Sequence, residues 1–181
     1  MPAYAYFLVI LGTTVWFYPF VAAHKSTTPA KIVNRNSRWG VLLQLIAFSL
    51  IWQGRFWERS LPPWRSGVCI MLFVLAALLS WNSSRALAGQ LRIDAALGAE
   101  HRLVKTGPYA LVRNPIYTSM LLVLCAMAVV VASWKLFLPA LALFIFGTEI
   151  RVRAEEKLLA SQFGEEFRTY KREVAAYLPF L

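Results

Sequence analysis

The sequence predicts an all-α integral membrane protein with about five transmembrane helices and a cytoplasmic-side C-terminal amphipathic helix. Three observations carry that reading. Of 181 residues, 59% are hydrophobic and only 15% are charged, which is less charge than a soluble domain carries. Residues 1–23 and 114–134 contain no Asp, Glu, Lys or Arg, and each run matches the roughly 20 helical residues that cross a bilayer core. With five spans, 15 of the 19 Lys and Arg residues fall on the side of the C-terminus, and only Arg55, Arg59, Arg65 and Lys135 fall opposite. That asymmetry places the N-terminus outside and the C-terminus in the cytoplasm, in a cytoplasmic (inner) membrane.

The first span lacks a basic region before its apolar stretch. Val21-Ala22-Ala23 faintly resembles a cleavage site, but the span is expected to be retained. A polar loop, 24–38, follows, with Pro29 and Asn34-Arg35-Asn36-Ser37. Spans two, three and five are expected over the shorter apolar runs 39–52, 68–81 and 136–148. Their flanks lengthen them. Arg38, Arg55, Arg65, Arg85, Lys135 and Arg151 can snorkel, and Trp39, Trp52, Trp57, Trp64, Trp81 and Trp134 suit the headgroup level. Pro62-Pro63 separates spans two and three.

The longest connection, 82–113, is expected to be partly helical up to about Leu97, with Gly98 ending that segment and a turn at Thr106-Gly107-Pro108. Asn114-Pro115 then starts span four, since Asn is a favoured N-cap and Pro is tolerated at the first helical position. The short connection 132–135 makes spans four and five an antiparallel hairpin. In the tail, Leu159, Phe163, Phe167, Tyr170, Val174 and Tyr177 recur at steps of four and three, one face of a helix that Gly164 weakens. Such a helix could lie on the membrane surface or cap a site from the cytoplasm.

The chain reads as a single domain over 1–181, without internal repeats. A net charge of +10 suggests nucleic acid, but its one-sided distribution is explained by orientation and by anionic lipid headgroups, so no nucleic-acid partner is expected. Cys69 and Cys125 both sit in apolar runs and suggest neither a disulfide framework nor a metal site.

Polar residues gather at both ends of the expected hairpin. His101 opens a run through Gly107-Pro108-Tyr109 to Arg113-Asn114-Pro115-Ile116-Tyr117, and beyond span five stand Arg151, Glu155 and Glu156. Arg151 and Glu155 share a helix face. Singly, each residue has a bland explanation: a loop histidine, interfacial tyrosines, a solvated ion pair. Together, at a low-dielectric boundary, they read as a site.

The ordered set His101-x-Leu103-Val104-x-x-Gly107-Pro108-Tyr109, Arg113-Asn114-Pro115-x-Tyr117, Arg151-x-x-x-Glu155-Glu156 and Phe163-Gly164-Glu165-Glu166-Phe167-x-x-Tyr170 resembles the isoprenylcysteine carboxyl methyltransferase family, which grades into bacterial phospholipid methyltransferase-like proteins. The likeness covers roughly residues 99–179. It implies an S-adenosylmethionine-dependent membrane methyltransferase acting on a lipid or lipidated acceptor. On that basis residues 98–181 form the cofactor-binding and catalytic portion, and 1–97 hold spans one to three. The implied cofactor-binding residues are His101, Arg102, Leu103, Val104, Gly107, Tyr109, Asn114, Pro115, Ile116, Tyr117 and Glu155. Arg151 would face the acceptor, and Glu155 or Glu156 would serve as base for an amine acceptor, so Arg151, Glu155 and Glu156 are the catalytic candidates. No metal is implied. Where the family commonly has Arg-His-Pro, this chain has Arg113-Asn114-Pro115. Asn114 can donate a hydrogen bond but cannot become a cation or a ring base.

Two other readings compete. Membrane reductases of the steroid-reductase kind, which use NADPH, carry a related stretch, but an acidic residue follows its second Tyr, where this chain has Thr118 and Ser119. A non-enzymatic scaffold or transporter subunit would place ionisable residues at mid-membrane depth. Here Gln44 and a few hydroxyls are the polar groups well inside spans one to four.

Overall fold

Five helices carry the architecture: α1 (Ala3–Ala22), α2 (Ser37–Leu50), α3 (Pro63–Ala86), α4 (Pro115–Val131) and α5 (Trp134–Glu173). The computed structural model describes residues 1–22, 32–33, 37–58, 60–87, 96–97 and 102–177. Lys25, Pro29, Lys31, Asn34, Arg35, Asn36, Arg59, Arg92, Gly98 and His101 lie outside the described residues.

The proline signals act where their chemistry dictates. Pro62 is extended, and Pro63 opens α3. Pro115 opens α4 in the same way. A proline at the first helical position surrenders an N–H that has no partner there anyway. α3 is longer than its apolar core run, because Trp64 and Arg65 at its start and Arg85 at its end extend it toward the interfaces.

The chain alternates direction, so α1 and α3 finish at the end of the bundle where α2 and α4 begin. Partly buried polar contacts mark that end. Trp16 Nε1 donates to Ser119 Oγ at 3.0 Å, and Ser80 Oγ donates to the Trp16 carbonyl at 3.0 Å. At the opposite end Tyr4 donates to the Leu61 carbonyl, and the Met1 amino group reaches the Trp57 carbonyl. A single apolar cluster joins all five helices, including Val9, Ile51, Phe73, Leu124, Val131 and Phe144.

α3 packs against α1 and α4, while α5 packs along α2. The expected hairpin therefore has its short connection, Ala132 and Ser133, but its arms splay. Facing glycines explain the choice of α2. A Cβ at Gly40 would fall 2.4 Å from the Gly147 carbonyl oxygen, and one at Gly147 would fall 2.7 Å from that of Gly40. Only residues this small let two helix backbones touch.

The outer surface is apolar. Phe7, Ile10, Val15, Leu45, Ile46, Ile70, Val74, Leu78, Leu138, Ile145 and Phe146 are all exposed, far more than a soluble surface presents. α1 and α3 are long and apolar enough to cross a membrane, and α2 and α4 are apolar but shorter. The most apolar stretches of α1 and α3 are only 17% and 28% buried, so neither is the core helix of a water-soluble fold. Exposed Trp39 and Trp81 stand at one end of the bundle and Trp57, Trp64 and Trp134 at the other, which is where indole rings settle against headgroups.

Two expectations are corrected. Ala96–Leu97 is not helical but forms a short strand, β2, antiparallel to β1 (Ile32–Val33), with Ile32 opposite Leu97. A partner some sixty residues away overrides local propensity, which is a weak prior wherever tertiary pairing is on offer. The tail is not one continuous helix either. Gly164 has φ 52° and ψ −120°, a conformation that side chains with a Cβ rarely adopt. Val174 is extended, and Ala175 forms a parallel bridge with Val112. The run of apolar positions thus leaves the helix before Tyr177 and folds back toward α4.

Candidate functional site

The site lies at the end of the bundle where α4 begins and α5 leaves the other helices. Asn114 occupies the N-cap of α4, and its carbonyl accepts the Thr118 N–H at 3.1 Å. Its side chain makes no cap. Instead the amide Nδ2 and the backbone N–H both donate to the Ala176 carbonyl at 3.1 Å. The amide is a donor where the family's histidine would stand, and the folded tail supplies its acceptor.

Two positions into α4, Tyr117 is buried at 6% exposure. Its hydroxyl donates to Glu155 Oε1 on α5. The Arg151 guanidinium, one turn earlier on α5, lies 5.1 Å from the centre of the Tyr117 ring, a distance at which cation and aromatic face attract. Arg151 also donates through Nη1 to Gln44 Oε1 on α2 at 3.3 Å. Gln44 is buried and turns its Nε2 to Thr148 Oγ1 at 2.9 Å. One polar chain thus runs Thr148, Gln44, Arg151, Tyr117, Glu155 across α2, α4 and α5. Burial pushes the Glu155 carboxyl above its ordinary range; the Tyr117 hydrogen bond and the Arg151 charge oppose that rise, and Glu156 adds to it.

The segment before α4 folds onto the same place. A short 3-10 turn, Gly107–Ala110, packs on the end of α3, with Gly107 at φ 62°. Burial raises the Tyr109 phenol, and the Glu155 charge and Tyr170 raise it further, so the ring stays neutral beside the carboxylate. The Tyr109 carbonyl accepts the Tyr170 hydroxyl at 2.6 Å. Tyr170 is itself pushed up to about 12 by burial and remains a donor.

The tail is clasped over this end of the bundle. Arg113 Nη1 donates to the Lys171 and Val174 carbonyls at 2.7 and 2.5 Å, and its Nη2 meets Glu156 Oε1 at 3.2 Å. Lys171 Nζ lies 2.5 Å from the other Glu156 oxygen. Thr118 Oγ1 donates to the Tyr177 carbonyl, and the Tyr177 hydroxyl donates to Glu149 at 2.7 Å. Lys105 pairs with Glu166 at 2.8 Å, tying the run before the 3-10 turn to the tail. The end of the amphipathic tail thus folds over the start of α4 and the 3-10 turn.

Tyr109, Tyr117, Arg151 and Glu155 come together as one cluster. Asn114, Pro115 and Ile116 form its rim at the start of α4. Leu103 and Val104 are half-buried in the run before the turn, and Arg102 is exposed. Glu156 turns away from Tyr117 into the pairs with Arg113 and Lys171. Sequence reasoning placed neither Gln44 nor the clasping roles of Arg113, Tyr170 and Tyr177. Gln44 did carry a signal, as an amide inside an apolar run.

Residues 64–166 match the family model described as phospholipid methyltransferase. Methanethiol S-methyltransferase 1 of Bradyrhizobium diazoefficiens is 33% identical over 72 residues, which is 40% of this chain and 24% of that protein. The cobalt-zinc-cadmium resistance protein CzcN of Cupriavidus metallidurans is 27% identical over 150 residues, 82% of this chain and 65% of that protein. The chain thus spans about a quarter of one relative and just under two thirds of the other.

Proposed function

This chain belongs to the phospholipid methyltransferase family, and from that premise we propose that it is an S-adenosylmethionine-dependent membrane methyltransferase acting on a lipid or lipidated acceptor at the cytoplasmic interface. The observation that carries the reading is the cluster Tyr117, Glu155 and Arg151, drawn from two helices onto one polar spot at the edge of an apolar bundle.

The residues fit the cofactor by their donor chemistry. When bound, it supplies a methyl group on a sulfonium, which leaves orientation and electrostatics to the protein. Glu155 is the carboxylate that can accept hydrogen bonds from an amino group or ribose hydroxyls. Tyr109 offers an aromatic face suited to a cation, whereas the Tyr117 ring already carries the Arg151 guanidinium. His101, Arg102, Leu103, Val104, Gly107, Asn114, Pro115 and Ile116 are assigned to the same cofactor site on the family resemblance. Arg151 is permanently cationic, so it repels a sulfonium and belongs with the acceptor. A carboxylate or phosphate acceptor needs only such a partner. An amine or thiol acceptor must lose a proton first. We assign that role to Glu155 rather than Glu156, because Glu156 is ion-paired with Arg113 and Lys171. The methanethiol relative brings a thiol into the panel of acceptors worth testing. The exposed apolar girdle favours an acceptor that arrives sideways from the bilayer.

Calorimetry of the purified protein with S-adenosylmethionine and, separately, NADPH tests the cofactor. We expect saturable binding of the first alone; binding of NADPH alone would overturn the reading in favour of a reductase. Labelled methyl transfer into phospholipid vesicles, an isoprenylcysteine analogue and a small thiol then sorts the acceptors.

The proposed topology is five spans, the fifth being the first half of α5, with the N-terminus outside and the C-terminus in the cytoplasm. Its support is the one-sided distribution of Lys and Arg. A C-terminal reporter that works only in the cytoplasm is expected to be active. Activity of an outside-only reporter would invert the topology.

A further inference from the structure

We propose that Gln44 is a positioning residue that holds the Arg151 guanidinium over Tyr117. The inference rests on the methyltransferase reading for its catalytic consequence, but not for its geometry. Gln44 lies on α2, outside the residues 64–166 that the family model matches.

The hydrogen-bond polarity admits one arrangement. Arg151 can only donate, so the Gln44 oxygen must face it, and the Gln44 NH2 must then donate to Thr148 Oγ1. Gln44 is 2% exposed and Thr148 4%. An amide sunk that far is costly unless both its ends are satisfied. Here they are satisfied by α5 residues three apart, Thr148 and Arg151, which share a helix face. The approach of the two helices is set by backbone contact between Gly40 and Gly147, one turn from Gln44 and from Arg151. A Cβ on Gly40 would also fall 2.5 Å from Arg151 Cγ. The glycine pair and Gln44 therefore confine the stem and the head of the same arginine. Long flexible side chains lose considerable rotamer entropy when fixed. Fixing the guanidinium before substrate arrives removes that loss from the catalytic step.

The test compares Gln44→Met, Gln44→Glu and Thr148→Val in the full-length protein. Gln44→Met keeps length and apolar volume but removes both polar ends. Gln44→Glu keeps an oxygen toward Arg151. Thr148→Val breaks the tie from α2 to α5 while leaving the Arg151 contact. Side-chain order of Arg151, read from its guanidinium nitrogen NMR signals and assigned with Arg151→Lys, should fall most in Gln44→Met, less in Thr148→Val, and be retained in Gln44→Glu. Turnover with S-adenosylmethionine and phosphatidylethanolamine vesicles should follow the same pattern. We expect about a tenfold loss of kcat in Gln44→Met, with cofactor affinity unchanged and recovery in Gln44→Glu. Unchanged Arg151 order in Gln44→Met overturns the inference. So does an equal loss of order in Thr148→Val, which would make Gln44 a helix tie and no more. Absence of methyl transfer in the wild type counts against the methyltransferase reading alone, because the Arg151 signal reports the geometry without it.

Discussion

Replacing Arg151 with Leu is expected to lower turnover by about 10²-fold, the usual scale for removing one preorganised charged donor, while S-adenosylmethionine affinity stays near wild type. Replacing Glu155 with Gln should do the reverse, weakening cofactor binding about 10-fold or more before turnover is limited. The separation follows from charge. The guanidinium repels a sulfonium and attracts an anionic acceptor, and the carboxylate does the opposite. Tyr117 connects the two, donating to Glu155 and presenting its ring to Arg151, so the effects should be non-additive in the double variant. Arg151→Lys serves as a folded control that keeps the charge. The pH dependence has a definite sign. Burial raises the Glu155 carboxyl above its ordinary range, so a site that needs the carboxylate loses cofactor affinity as pH falls through that raised value. Glu155→Gln, which cannot ionise, should lose that dependence. Calorimetric affinities across pH, set beside single-turnover rates, decide the matter. Wild-type turnover in Arg151→Leu would leave the cluster a structural feature without a part in chemistry.

What could be read before folding was local. The start of α4 at Pro115 follows from two residues whose backbone chemistry admits little else. That Glu155 returns to the side where α4 begins follows from a short connection between two helices, but its contact with Tyr117 does not, because the two arms splay. What escaped was the choice of partner. Nothing in the periodicity of α5 says that it will lie along α2, because facing glycines signal close approach without naming the helix approached. Gln44 was visible as a polar residue in an apolar run, but its role appears only once that choice is made. The strand pair of β1 and β2 and the bridge of Val112 to Ala175 are likewise contacts between distant segments. The neighbouring carboxylates Glu155 and Glu156 could not be ranked from sequence. They point about 100° apart around a helix, and only the fold shows Tyr117 on one side and Arg113 with Lys171 on the other.

Replacing Arg113 with Ala should release the tail from the site without unfolding the bundle. Arg113 is the centre of the clasp. Its side chain is only 12% exposed, and it serves two tail carbonyls and one carboxylate at once. Removing it strips the Lys171 and Val174 carbonyls of a donor and leaves Glu156 partly buried with Lys171 alone. Breaking a buried charged contact of this kind costs about 3 kcal/mol. The cost falls on local docking, since the apolar cluster that joins the five helices does not include the tail. Amide exchange over 170–177 should therefore speed up by about 10²-fold, while exchange in α3 and α4 stays slow. Arg113→Lys should rescue little, because an ammonium cannot reach two carbonyls and a carboxylate with the geometry of a planar fork. Cofactor affinity is expected to fall with tail docking, since Tyr170 holds the Tyr109 carbonyl and Ala176 holds Asn114. If exchange over 170–177 were unchanged in Arg113→Ala, the clasp would be a consequence of tail packing rather than its cause. The break at Gly164 and the Val112–Ala175 bridge would then have to hold the tail by backbone geometry alone.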